Sequence, residues 1–233
     1  SAFPGIDRDG GMATYLRTNA RACVVLDEAL APVEVAALAD AGLTAYHAVR
    51  KAVPLLYPGA HVVVIGAGGL GHIGVQVLQE LSPADLTVVD RPPVALSVAE
   101  ELGARDTVVA DGDQVAKVLD ATEGRGAHVV LDFVGEDGTE KEGITMTRDA
   151  GSYFVIGYGG ALDVPTIDMV SREINVIGNL VGSYNDLREL MALAARGRVR
   201  QRTRTYSMDR ALDAFDDLEH GRLPGTRAVL EPV

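Results

Sequence analysis

The sequence has no tryptophan, one cysteine and four phenylalanines among its 233 residues, and aromatic residues make up only 5% of it. A single cysteine, Cys23, has no partner for an internal disulfide and cannot build a cysteine-rich structural zinc site. A reducing, cytoplasmic setting is therefore expected. No run approaches the about 18 consecutive apolar residues that a membrane-spanning helix needs, so no membrane span is expected. Basic residues are scarce, 21 against 33 acidic ones, for a formal net charge of −12. An excess of negative charge repels phosphate backbones, which argues against a nucleic-acid partner. Internal repeats and low-complexity segments are missing. Near Ser1 and Ala2 no basic stretch precedes an apolar core, so nothing there reads as a signal peptide. What remains, 47% hydrophobic and 23% charged, is the balance of a globular protein of one large or two small domains.

Residues 1–30 read as loop and short strand, with one brief apolar run at Cys23 to Leu26. Pro32 suits a first helical position, and Val33 to Ala41 is helical in character until Gly42 interrupts it. A second helical stretch passes Tyr46 and Val49 to Pro54. Val62, Val63, Val64 and Ile65 then form a continuous β-branched run, the pattern of a strand buried on both faces of a parallel sheet. Similar runs follow at Leu86–Val89, Thr107–Val109, Val129–Val134, Gly151–Ile156 and Ile174–Leu180, with helical patterns between the earlier ones. This alternation predicts an α/β fold, a doubly wound parallel sheet. The tail departs from the rhythm. A helix over Leu187–Ala195 and an extended segment over Thr203–Tyr206 come first. A helix capped by Ser207 and a short strand at Ala228–Leu230 follow.

Between the first strand and its helix lies G-x-G-x-x-G, as Gly66, Gly68 and Gly71. A second frame, Gly69, Gly71 and Gly74, overlaps it, but only the first begins directly at the strand end. There the first glycine permits the tight turn, the second lets a pyrophosphate approach the backbone, and the third lets helix and strand pack closely. The helix N-terminus adds free N–H groups and a positive dipole. Asp90 ends the second strand 24 residues after Gly66, close to the about 20 expected for a ribose-binding carboxylate. A carboxylate accepts hydrogen bonds from a ribose 2′-hydroxyl and repels a 2′-phosphate, so NAD is favoured over NADP. Arg91 beside it offsets part of that repulsion.

Longer matches surround this turn. Asp40-Ala41-Gly42-Leu43-Thr44-Ala45-Tyr46-His47 is followed by Pro58-Gly59 and by Val63 through Gly66-Ala67-Gly68-Gly69-Leu70-Gly71. Gly10 to Tyr15 stands at one end and Arg227-Ala228-Val229-Leu230 at the other. In these stretches the sequence resembles the zinc-dependent medium-chain alcohol dehydrogenases, most of all the bacterial secondary-alcohol enzymes. The resemblance implies a Rossmann domain inserted near the end of a β-rich, GroES-like catalytic domain. Residues 41–181 would be the NAD-binding domain, and 1–40 with 182–233 pieces of the catalytic one. It also implies hydride transfer between an alcohol or ketone and NAD.

The resemblance assigns further residues one at a time. Thr44 falls where the family touches the nicotinamide. Val134 and Gly135 lie beside the ribose, and Ile156, Gly157, Asn179 and Val181 match the backbone that holds the carboxamide. Arg227 matches an arginine that reaches the pyrophosphate. Gly69 and Leu70 complete the turn. Asp40 falls on the third ligand position of the catalytic zinc. By the family pattern the other two ligands and the proton relay would precede Ser1, so the sequence looks like the C-terminal two-thirds of such an enzyme. One carboxylate does not make a catalytic zinc site, since these usually need three protein ligands. No stable zinc and no alcohol oxidation are expected of this stretch alone. Cys23 reads as a small buried hydrophobe, and His47 as a structural hydrogen-bonding residue. His72 reads as lining or capping the turn, and the alternating arginines 196–204 as a solvated edge. Two rival readings stand beside the dehydrogenase. One is a catalytically silent NAD-binding module that assembles with another chain. The other is a zinc-free quinone or enoyl reductase, against which Asp40 speaks. The apolar run 174–180, last in the sheet, is expected to pair with its copy in a homodimer.

Overall fold

Val62, Val63 and Val64 carry side chains that fit a pleated surface covered on both sides. In the computed structural model, which describes residues 4–223 and 226–232, they belong to β1 (His61–Ile65) of a six-stranded parallel sheet. Its other strands are β2 (Asp85–Asp90), β3 (Asp106–Val109), β4 (Ala127–Asp132), β5 (Thr147–Val155) and β6 (Asn175–Gly178). Their spatial order is β3-β2-β1-β4-β5-β6. The chain runs outward from β1 through β2 to β3, then crosses back to place β4 on the other side of β1. That reversal opens a crevice at the carboxyl ends of β1 and β4.

Helices cover both faces. In chain order they are α1 (Pro32–Val35), α2 (Ala41–Ala52), α3 (Gly71–Leu81), α4 (Pro93–Glu101), α5 (Gln114–Ala121), α6 (Thr139–Met146), α7 (Thr166–Arg172), α8 (Tyr184–Ala195) and α9 (Ala211–Glu219). The period of two along each strand divides the interior. Val62, Val64, Val129 and Leu131 join Tyr46 and Val49 of α2, Ile73 of α3 and Leu190 of α8 in one apolar cluster. Val63, Ile65, Val130 and Tyr153 join Val118 of α5 and Met146 of α6 in another. Each such aliphatic side chain, taken fully out of water, contributes about 1.5–3 kcal/mol. The tail forms a separate parallel pair, β7 (Thr203–Ser207) with β8 (Arg227–Glu231).

Several expectations are corrected. Gly42 does not interrupt a helix but lies inside α2, where a Cβ would press on Leu38 and Leu190. The break falls instead at Asp40, whose φ of −128° and ψ of −72° separate α2 from the short turn before it. Residues 23–26 form no strand. Cys23 is exposed rather than buried, and Val25 beside it is 93% exposed. Ser207 precedes a 3₁₀ turn and makes no side-chain cap. The strand read as Ile174–Leu180 is only four residues long, and Val134 lies just beyond β4. Helices α6 and α7 had no sequence signal. The arginine ladder is a solvated, ion-paired edge as expected, with Arg202 on Glu101 at 2.6 Å and Arg204 on Asp217 at 3.1 Å.

One polar cluster fastens α8 to α2. Asp186, buried in the first turn of α8, accepts from the Ser183 N–H at 2.8 Å and the Ser183 hydroxyl at 2.7 Å. From α2 it accepts from Arg50 Nη1 at 2.7 Å and His47 Nδ1 at 3.0 Å. Burial by itself would raise the Asp186 carboxyl, but these hydrogen bonds outweigh it and hold the group well below the usual carboxylate range. A carboxyl depressed on folding stabilises above its unfolded value of about 4, and that contribution is lost as pH falls toward the folded value. Thermal melts between pH 7 and pH 2 should therefore show a loss of stability below about pH 4 that is smaller in Asp186→Asn.

Candidate functional site

The glycine turn occupies the crevice end of β1. Gly66, at φ +87°, turns the chain in a conformation that L side chains rarely adopt, and a Cβ there would also strike Val134 Cγ2 at 2.6 Å. A Cβ on Gly71 would overlap the Gly66 carbonyl oxygen, so α3 starts as close to β1 as backbone permits. Gly68 faces open space within 4 Å. Gly69 lies under Arg227, whose Nη1 would be 2.8 Å from a Cβ there. Leu70 lends its carbonyl to the N–H of Ile73 while its side chain packs on the apolar core. Gly74 meets the Phe133 ring and serves helix packing, so the frame Gly66, Gly68, Gly71 is the one that forms the turn.

Two side chains brace this turn. Asp90, half-buried at the end of β2, accepts the Ala67 N–H through Oδ2 at 2.6 Å and the Arg91 N–H through Oδ1 at 2.7 Å. His72, buried in α3, donates from Nδ1 to the Gly68 carbonyl at 2.8 Å. Burial lowers the tendency of that imidazole to protonate, and the hydrogen bond to Gly68 opposes the shift. His72 thus lines the turn from inside, and His47, bound to Asp186, is structural.

The neighbouring strand ends supply the rest. Asp132, fully buried at the end of β4, accepts from the N–H groups of Val134 at 2.8 Å and Gly135 at 2.9 Å, and from the Tyr153 hydroxyl at 2.7 Å. Its carbonyl accepts from the N–H groups of Ile156 and Gly157. The backbones approach so closely here that a Cβ on Gly135 would overlap the Gly157 carbonyl, and one on Gly157 the Val134 carbonyl. Asn179 donates its backbone N–H to Val155 at 3.0 Å. Val181, a β-branched residue at φ +47°, is held in a left-handed conformation such residues rarely take. Thr44 lies on α2, which packs against α3, and its hydroxyl donates to the Asp40 carbonyl at 2.8 Å.

A cavity of about 490 Å³ opens beyond the carboxyl ends of β1 to β4, and Thr44, Ile156, Gly157, Asn179, Val181 and Arg227 are not among its lining residues. Gly66, Asp90, Arg91 and Val134 line it. So do Gly112, Gln114, Glu136, Asp137, Thr139 and Glu142, which sequence reasoning missed. They sit in the turns after β3 and β4 and on the first turns of α5 and α6, and the rule that ligands bind beyond strand carboxyl ends could have found them. The arrangement suits a dinucleotide: an open backbone at Gly68, the positive end of the α3 dipole, and a carboxylate beside a polar cavity. Zinc is a different matter. Asp40 is exposed, and among the described residues no group of three or more His, Cys, Asp or Glu side chains comes together to hold a metal.

Comparison with known proteins agrees with this fold. Residues 69–196 match the model of the zinc-binding dehydrogenases. The chain is 35% identical to an NAD-dependent alcohol dehydrogenase of Sulfurisphaera tokodaii, over 98% of its own length and 66% of the relative's. It is 31% identical to a D-arabinose 1-dehydrogenase (NADP(+)) of Saccharolobus solfataricus, over 99% of its length and 66% of that protein's. The crystal structure of the alcohol dehydrogenase from Aeropyrum pernix superposes with a TM-score of 0.94 at 43% identity, covering 99% of this chain and 67% of that one. The chain thus spans 66% of the length of these curated relatives, just under two thirds.

Proposed function

The chain belongs to the zinc-binding dehydrogenase family, and from that premise we propose that it binds NAD in the crevice above β1 and β4. We infer that the whole protein transfers hydride between an alcohol or ketone and that cofactor. The observation that carries this reading is the turn itself, with Gly68 open to solvent, Gly71 against Gly66, and Asp90 holding Ala67. Residues 41–181 are the cofactor domain in this reading, and 1–40 with 182–233 belong to the catalytic domain. Residues 1–3, 224–225 and 233 of those segments lie outside the described residues.

The bound nicotinamide supplies the hydride-accepting carbon. The protein's residues bind and orient. Backbone at Gly68, Gly69 and Leu70 and the start of α3 receive the pyrophosphate, with Arg227 over Gly69 as its counter-charge. Asp90 accepts from the ribose hydroxyls with the lone pairs that Ala67 and Arg91 leave free. Val134 and Gly135 flank the ribose. Backbone at Ile156, Gly157, Asn179 and Val181 holds the carboxamide, and Thr44 limits the nicotinamide's other face. Zinc enters no step derived from these residues.

Calorimetric titration of the chain with NAD and NADP tests this. Tighter binding of NAD is expected. Asp90→Ala should weaken NAD and narrow its advantage over NADP, because the variant loses both the ribose acceptor and the brace on Ala67. Equal affinity of the unmodified chain for both cofactors would overturn the role given to Asp90. Turnover of a secondary alcohol by the whole protein separates a dehydrogenase from a silent NAD-binding module.

Assembly follows from the sheet edge. Strand β6 pairs only with β5 among the described strands, and Leu180 just beyond it is 84% exposed. We propose a homodimer in which residues 174–180 pair with their copy across a two-fold axis. Light scattering at micromolar concentration should report a dimer, and Val176→Pro should convert it to monomer by removing a ladder donor. No described helix is long and apolar enough to cross a membrane, and a cytoplasmic location is the setting proposed.

A further inference from the structure

The cavity beside Asp90 has an uneven charge. Four carboxylates line it, those of Asp90, Glu136, Asp137 and Glu142, and a single cation, Arg91. Arg91 follows Asp90 directly and stands where a ribose 2′-substituent would meet it. A free guanidinium there would grip a 2′-phosphate with paired, charge-assisted hydrogen bonds. It is not free. Arg91 Nη1 donates to Asp137 Oδ2 at 3.2 Å across the cavity mouth. Glu142 is engaged elsewhere, accepting from Gln114 at 2.7 Å. The backbone presents Asp137 specifically. It sits at φ +57°, left-handed, between Gly135 at +63° and Gly138 at +90°, in the turn that leaves β4. Asp and Asn are among the few non-glycine residues that accept that conformation.

We propose that Asp137 is a second determinant of cofactor choice, because it occupies Arg91 and so withholds the cavity's one cation from a 2′-phosphate. This rests on the reading of the crevice as the NAD site. Asp90 accounts for repulsion of the phosphate, and Asp137 accounts for why the adjacent arginine does not relieve it. The pair is solvent-exposed, with 67% and 63% of its side-chain surfaces accessible, so it is weak enough to be broken without harm to the fold.

The test is displacement of NADH by NADP, read from nicotinamide fluorescence. It uses the full chain, Asp137→Asn, Arg91→Ala and the double variant. Asn keeps the size and the left-handed backbone, and unchanged melting temperatures would verify the fold. Asp137→Asn should tighten NADP by about threefold to fivefold, the cost of breaking one exposed ion pair. NADH affinity should change by less than about twofold. On the Arg91→Ala background the same substitution should tighten NADP far less. Equal gains with and without Arg91 would mean that Asp137 acts only as a negative charge, and would overturn the proposal. An unchanged NADP affinity in Asp137→Asn would do the same. If the unmodified chain bound neither NADH nor NADP, the reading of the crevice would fall, a result distinct from either of these.

Discussion

Gly68→Ala is expected to weaken NAD binding by about thirtyfold, close to 2 kcal/mol, while leaving the melting temperature nearly unchanged. A Cβ at Gly68 meets no protein atom within 4 Å, so the fold has no reason to resist it. The same methyl points into the space proposed for the pyrophosphate. Gly71→Ala should act mainly on stability. There the Cβ overlaps the Gly66 carbonyl, and β1 and α3 must separate before it fits. A loss of about 3 kcal/mol is expected, even after the roughly 1 kcal/mol that alanine returns as a better helix former. Paired calorimetry and thermal melts on the two variants check the contrast. A large drop in melting temperature for Gly68→Ala would show that the turn's second glycine is there for folding rather than for a ligand.

Asp132→Ala should cost about 4 kcal/mol. The substitution leaves the N–H groups of Val134 and Gly135 and the hydroxyl of Tyr153 buried without their acceptor. Each stranded donor costs about 1–3 kcal/mol, against a total stability of about 5–15 for a typical domain. Burial pushes the Tyr153 hydroxyl well above its ordinary ionisation range, and the neighbouring carboxylate adds to this. Tyr153 therefore stays a donor at every working pH. Asp132→Asn keeps one oxygen for the two N–H groups and should cost less than half as much. Urea denaturation would rank the two variants, and equal losses would refute the role given to the backbone donors.

The strands were legible because burial on both faces leaves a mark that needs no partner to interpret. Val62–Ile65 admits no amphipathic reading, and Asp90 could be placed because it terminates such a run. Helix α6 was not legible. Its stretch Thr139–Met146 holds a glycine and two threonines, all weak helix formers, and Gly143 is there because the Tyr153 ring occupies the space a side chain would need. Helix α7 buries no residue, so no periodic apolar face announces it. Gly42 misled for the same reason as Gly143, since its lack of a side chain serves Leu38 and Leu190 rather than a turn. Cys23 misled in the opposite direction, because a short apolar run need not be covered. In the candidate site, the turn and Asp90 follow local rules of spacing. Asp137 and Gln114 come into the cavity only through strand order, and no interval in sequence relates Arg227 to Gly69. The resemblance to known dehydrogenases pointed Arg227 toward a pyrophosphate, and the structure places it over Gly69.

The alternation along β1 makes the sheet a party wall between two interiors that share no side chain. Val62 and Val64 look toward α2, α3 and α8, while Val63 and Ile65 look toward the short helices α5 and α6. Neighbours in sequence are therefore strangers in packing, and Leu190 is closer kin to Val64 than Val63 is. Gly66 stands at the end of that wall and belongs to neither side. Its height above the sheet is set by both interiors at once, so a disturbance in either reaches the turn by way of the strand rather than by way of the other core. A ligand seated on the turn would in the same way register the state of two apolar clusters that the sheet keeps apart.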